Sequence, residues 1–190
     1  AGTSATIVTD PAPGAANANV LEFITDAAGV PWQQAELTLQ GDYMDLTGPD
    51  KTITVDVYSE APMDILIRIT DGVVSSTDGT PVADSAGDGI HPGGGWQTVT
   101  IDFGDGETQD GQAVANGIYG RLFFFNLWDA NDSGTGAGGW TCSPPDGIAC
   151  ASVTSYFDEI RAFAADRPET CFDGILNNGE VQIDCGGPNC

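Results

Sequence analysis

Apolar and polar residues alternate with a period of two in one segment of this chain after another. Across 52–59, Ile53, Val55 and Val57 fall on one side while Thr54, Asp56 and Tyr58 fall on the other. The same rhythm runs through 32–39 (Ala35, Leu37, Leu39), 63–70 (Ile65, Ile67, Ile69) and 96–103 (Val99, Ile101, Phe103). Successive side chains of a strand point to opposite faces, so each segment predicts a half-buried β-strand. Residues 20–24 add a strand, 119–129 the most apolar and hence a central one, and 5–9 a short edge strand broken by Asp10 and the prolines after it. The stretch 154–163 is aromatic and β-branched, with neither Gly nor Pro. Its adjacent Asp158 and Glu159 should send one carboxylate inward or to an edge, where it needs a cation or several hydrogen bonds. This strand is therefore expected to close the fold and to give Asp158 to a structural calcium.

No segment keeps an apolar stripe at helical spacing over three turns, so the chain reads as all-β. Seven or eight strands separated by turn residues predict an antiparallel β-sandwich, of jelly-roll type, over residues 1–166. Segments 42–51, 71–95 and 104–117 read as loops, and 71–95 is long, acidic and home to the one histidine, His91. Pro168 marks the junction to a cysteine-bearing unit, 167–190, which is too short to fold without disulfides or a metal.

Charge narrows the partners. With 28 Asp and Glu against 5 Lys and Arg, the net charge of −23 opposes nucleic acids and anionic membranes. It suits salt, where repulsion is screened, or a calcium load. No apolar run approaches the roughly 20 residues that span a bilayer as a helix, and no signal-peptide core is present. Cysteines at 142, 150, 171, 185 and 190 lie in polar loops and read as disulfides, which places the protein outside the cell, secreted or at the surface. Five is odd, so one thiol is free or pairs beyond this sequence. A start at Ala1 and an end at Cys190 are read as processing sites or cuts from a longer protein.

The chemistry on offer is binding rather than catalysis. His91 has no nucleophile context, there is no Gly-x-Ser-x-Gly elbow, and no basic cluster could hold phosphate, so the chain is not expected to be an enzyme. Sugar binding by a sandwich needs aromatic faces with hydrogen-bonding groups around them. Trp96 opens an apolar strand and reads as core; Trp32, after Pro31, fits core or rim. Trp128 stands beside Asp129 and Asn131, and Trp140 sits in a Gly-rich loop stapled by Cys142 and Cys150, so these make the candidate sugar site. The bland alternative is that both indoles cover the loop from below or meet a neighbouring protomer. In the tail, Asp173, Asn177, Glu180 and Asp184 between cysteines offer hard oxygens for Ca2+. Their spacing departs from an EF-hand, since Asn178 stands sixth and Gly179 seventh. Zinc is less suited, since three cysteines without a histidine leave its fourth ligand unassigned.

The ordered segments NVLEF, PWQQAELTL, DKTITVDVYS, ILIRI, GGGWQTVTIDF, RLFFF and SYFDEIRAF carry a resemblance over residues 5–163. Together they resemble the jelly-roll carbohydrate-binding modules found beside laminarinases and other polysaccharide-degrading enzymes of marine Bacteroidetes. The resemblance implies a β-glucan-like polysaccharide as ligand and a calcium ligand at Asp158; Glu159 stands where a second Asp is usual, and the opening Phe-Glu strand of such modules has no counterpart. Residues 171–190 resemble the CxDGIxNxxExxxDCGGxxC units between domains of large secreted proteins of the same bacterial group. Such units usually carry one more cysteine, which implies a continuing polypeptide that holds the missing partner. A second class of function stays open: a structural or adhesive repeat, or a subunit of an extracellular filament, with neighbouring copies joined by calcium, a disulfide or a donated strand.

Overall fold

Each alternating segment becomes a strand whose apolar phase turns into a shared interior. In the computed structural model, residues 2–12, 14–77, 79–104, 113–130 and 138–166 are described. The strands are β1 (Ser4–Thr9), β2 (Asn19–Ile24), β3 (Ala35–Thr38), β4 (Tyr43–Asp45), β5 (Thr52–Ser59), β6 (Met63–Thr70), β7 (Ser85–His91), β8 (Gly95–Asp102), β9 (Ile118–Tyr119), β10 (Arg121–Asp129), β11 (Gly139–Trp140), β12 (Thr154–Arg161) and β13 (Ala164–Ala165). One front layer runs β1-β2-β12-β5-β8, and the back layer runs β7-β6-β10, with β3 and β11 also on β10. Every ladder is antiparallel. The nested pairs β2·β12, β3·β10, β5·β8 and β6·β7 are the jelly-roll winding.

Between the layers lie Phe23, Ile53, Val55, Val57, Val99, Ile101 and Phe157 from the front and Ile65, Ile67, Ile69, Leu122 and Phe124 from the back. Phe124 meets Phe157 across the interface with ring centroids 4.8 Å apart. Each such buried side chain stabilises the fold by about 1.5–3 kcal/mol. A three-stranded sheet, β13-β4-β9, adds Met44 and Tyr119 to the same core.

Four readings are corrected. The loop 71–95 contains β7, whose sequence SAGDGIH lacks β-branched residues apart from Ile90. Full pairing to β6 makes it a strand, and Gly87 and Gly89 let it fold onto β8, where a Cβ would strike the Asp102 and Thr100 carbonyl oxygens. The loop 42–51 holds β4. The strand expected over 32–39 is only β3, and Trp32 lies outside it, 57% exposed. The apolar stretch 119–129 is broken at Gly120 into β9 and β10, because Gly120 packs against the Tyr43 ring, where a side chain would not fit.

Residues 167–190 lie outside the described residues, and with them Cys171, Cys185, Cys190, Asp173, Asn177, Glu180 and Asp184. The Cys142–Cys150 disulfide is present, with Cα atoms 4.8 Å apart. It packs with Leu127 and Val153 in a small apolar cluster.

Candidate functional site

The outward phase of the front layer carries aromatic rings where polar residues would be ordinary. Tyr58 on β5 lies directly across from Trp96 on β8, and across from Tyr156 on β12 on its other side. The row continues to Glu22 on β2 and Thr6 on β1. Tyr58 and Trp96 have ring centroids 5.6 Å apart, and Tyr58 and Tyr156 5.9 Å, with the planes tilted by 58° and 67°. All three side chains are half-buried. Strand geometry thus lines up three rings, one per strand, across the solvent side of a sheet.

Hydrogen-bonding groups border the row. The Tyr58 hydroxyl donates to Glu60, which pushes the phenol above its ordinary range, with lesser contributions from burial and neighbouring charge. Tyr156 is pushed up by burial first and then by its hydrogen bond to Glu22. Trp96 Nε1 donates to the Ala12 carbonyl at 3.2 Å, which fixes the indole under the segment between β1 and β2. One strand position further along, Thr98 Oγ1 donates to Asp56 at 2.6 Å, and Arg161 clamps both Asp56 oxygens at 3.0 and 2.8 Å. Carboxylate and hydroxyl acceptors beside tilted rings suit a polyhydroxylated ligand. The expectation that Trp96 belongs to the core is corrected: its phase points outward. The signal was in the sequence, because Tyr58, Trp96 and Tyr156 all occupy the polar phase of their alternating strands.

Trp128 and Trp140 do come together, being cross-strand partners on β10 and β11 with centroids 5.1 Å apart. They do not both present free faces. Trp128 is 2% exposed, with its Nε1 donating to Asp88 at 2.9 Å and Gly138 pressed against its ring. Trp140 is half-buried against Trp128 and Phe125. With Leu66 and Ala86 they form a small second core on the outer side of the back layer, so the covering role fits Trp128. Asp129 is exposed beside Gly139, and Asn131 lies outside the described residues.

Asp158 lies in the outward phase, not toward the core, yet it is 9% exposed. Asn17 covers it, donating from its backbone N to Oδ2 at 2.9 Å and from Nδ2 to Oδ1 at 2.7 Å. Burial would raise its pKa, but these bonds and backbone donors from Glu159 and Ala16 outweigh that and hold it below the ordinary carboxylate value. Glu159 takes a left-handed φ of 40° at the register shift between β12 and β5, and its Oε1 accepts from Asn17 Nδ2 at 2.8 Å. Asp158 and Glu159 carry hard oxygens of the kind calcium takes, while Asn17 presents its NH2 group to both. Among the described residues no three His, Cys, Asp or Glu side chains gather as a metal cage. His91 is fully buried; Gly93 N donates to its Nδ1 at 2.9 Å, leaving Nε2–H to the Val57 and Gly95 carbonyls at 3.0 and 3.1 Å. It pins the turn leading to Trp96.

No protein-family model matches the chain. No curated protein matches it either. Among solved structures it is similar to one titled "Crystal Structure of Family 30 Carbohydrate Binding Module", with a TM-score of 0.48 and 13% identity over 88% of this chain and 77% of that one. A likeness that distant assigns no ligand.

Proposed function

We propose that this chain is a non-catalytic glycan-binding β-sandwich and that it holds an uncharged, β-glucan-like polysaccharide across the row Trp96–Tyr58–Tyr156. The observation that carries the reading is the in-register row itself. Three large rings kept in the solvent phase forgo core burial, and a stacking ligand gives them a use. The bordering carboxylates accept sugar hydroxyls and turn away anionic glycans. The buried, hydrogen-bonded His91 offers no acid–base group at the row. An extracellular setting is supported by the Cys142–Cys150 disulfide, and a structural calcium at Asp158 and Glu159 by their oxygen chemistry. A glycan array followed by calorimetry on soluble β-glucans tests the ligand class. Saturable binding to an uncharged polysaccharide is expected, and silence toward every glycan ends the reading.

One feature favours the second class. Among the described residues β1 pairs with β2 alone and β3 with β10 alone, leaving two strand edges beside an apolar cavity of about 410 Å³. Ile7, 71% exposed, stands at its mouth above Phe124 and Phe157. A donated strand from a neighbouring copy would suit such a seam. Sedimentation velocity at low and high salt tests it: association that grows as salt screens the −23 charge, and that Ile7→Lys abolishes, is the expected result.

A further inference from the structure

On the opposite outer side of the sandwich, two of the scarce cations flank one aromatic residue in the wall of a single pocket. Phe123 on β10 lies directly across from Arg68 on β6, and Arg121 is two positions away on the same face. A pocket of about 350 Å³ opens between them, with Gln34, Asp71 and Asp84 also in its wall. Arg68 Nη2 is 2.8 Å from Asp84, and Arg121 Nη2 is 3.0 Å from Asp71. These pairs hold the two forks in place and cancel their charge. A guanidinium carries five N–H donors, and the pairs to Asp84, Asp71 and Glu36 leave further N–H groups on both forks. Phe123 is half-buried.

The exposed part of Phe123, donors on arginine and glutamine, and carboxylate acceptors in one wall match the mixed surface of one pyranose ring. A pyranose presents C–H groups on its face and hydroxyls that both donate and accept on its rim. The volume suits one sugar unit rather than a chain. Because both cations are already neutralised, an added anion gains little there, and the −23 charge of the whole chain opposes it. The geometry points to a second saccharide pocket, centred on Phe123 between Arg68 and Arg121, that takes a single uncharged sugar unit. It lies on the outer face of the back layer, whereas the Trp96–Tyr58–Tyr156 row lies on the outer face of the front layer. One molecule would then hold two glycans at once, and the two sites share only their ligand class.

The test is site-resolved NMR on the 15N-labelled protein. Methyl β-glucoside, methyl β-galactoside, methyl α-mannoside and methyl β-xyloside are titrated singly, with glucuronate and glycerol as counterparts. The expected result is saturable movement of the Arg68 and Arg121 Nε–H signals with at least one of the four glycosides. Phe123→Leu, which keeps an apolar contact with its neighbours, weakens that response about tenfold and leaves signals from Tyr58 and Tyr156 unaltered. Movement confined to the front row overturns this pocket and leaves the proposed function standing. Movement at Arg68 and Arg121 with a silent front row, there and toward polysaccharide, upholds the pocket and overturns the proposed function. A response to glucuronate but to none of the glycosides, an equal response to glycerol, or no response at all overturns the pocket.

Discussion

Tyr58 is the residue on which the proposed binding row turns, because it alone touches both other rings. Replacing it with alanine removes the central stacking surface and leaves Trp96 and Tyr156 separated by an empty strand position. One aromatic contact is worth about 0.5–1.5 kcal/mol beyond its buried area. Adding the area lost at the ring, the expected loss is about 1.5–2 kcal/mol, or roughly tenfold or more in Kd. Stability should fall as well, by about 1–2 kcal/mol for two broken ring contacts, which is a few degrees in Tm for a chain of this size. Tyr58→Phe separates the causes, since it keeps the ring and deletes only the hydroxyl that donates to Glu60; binding within about twofold of the parent is expected. Calorimetry on a soluble β-glucan, with the melt of each variant measured alongside, gives both numbers. Trp140→Ala serves as the comparator. If Tyr58→Ala binds like the parent while Trp140→Ala does not, the site belongs to the back layer and the front row holds no glycan.

Three further outcomes are expected. His91→Ala strips the partners from Gly93 N and from the Val57 and Gly95 carbonyls, and should cost about 2–4 kcal/mol in urea unfolding; a change under about 0.5 kcal/mol contradicts the pinning role. Asp158 has a folded pKa below its ordinary 3.8, so its contribution is present above about pH 4 and fades as pH falls through the lowered value. Acid unfolding of Asp158→Asn should therefore start from a lower neutral stability and depend less on pH below about 4, and curves parallel to the parent's would refute the linkage. If calcium binds at Asp158 and Glu159, EDTA should lower the melting temperature by about 5–10 °C at saturating metal, and re-added calcium, but not magnesium, should restore it. A melt indifferent to EDTA removes calcium from the account.

The alternation of Ile53, Val55 and Val57 against Thr54, Asp56 and Tyr58 made the core of β5 legible, because a strand with one buried face repeats every two residues. β7 was not legible for the same reason in reverse. Its in-facing positions are Ser85, Gly87, Gly89 and His91, with the two glycines demanded by the backbone of β8, and its one large apolar residue, Ile90, points outward and is 56% exposed. Trp128 misled because β10 shifts register between Phe125 and Trp128, which puts its indole beside Leu66 and Phe125; no residue type announces that bulge. The sealing of Asp158 depends on Asn17, 141 residues away in sequence, and such a pairing has no local pattern. Tyr58, Trp96 and Tyr156 were legible in principle, since an aromatic in the polar phase of an alternating strand is the local departure that marks a surface with a use.

The charge of the chain then bears on what that surface can hold. Arg68, Arg121 and Arg161 are each paired with carboxylates, and Lys51 is turned onto the Leu46 carbonyl. The described cations are thus committed to holding the fold's own acids and loops in place, and none projects beside the aromatic row as a counter-ion for an acidic ligand. An anionic polysaccharide approaching the front face would meet Glu22, Glu60 and Asp56 with only Arg161, already clamped to Asp56, to offset them. A neutral chain meets the same groups as hydrogen-bond acceptors and incurs no such repulsion. Binding at the row should therefore be nearly independent of salt between about 50 and 500 mM, where an electrostatically driven association would fall steeply. The same insensitivity separates a stacking site from a metal-bridged one, because calcium held between the protein and an acidic glycan would respond both to salt and to EDTA.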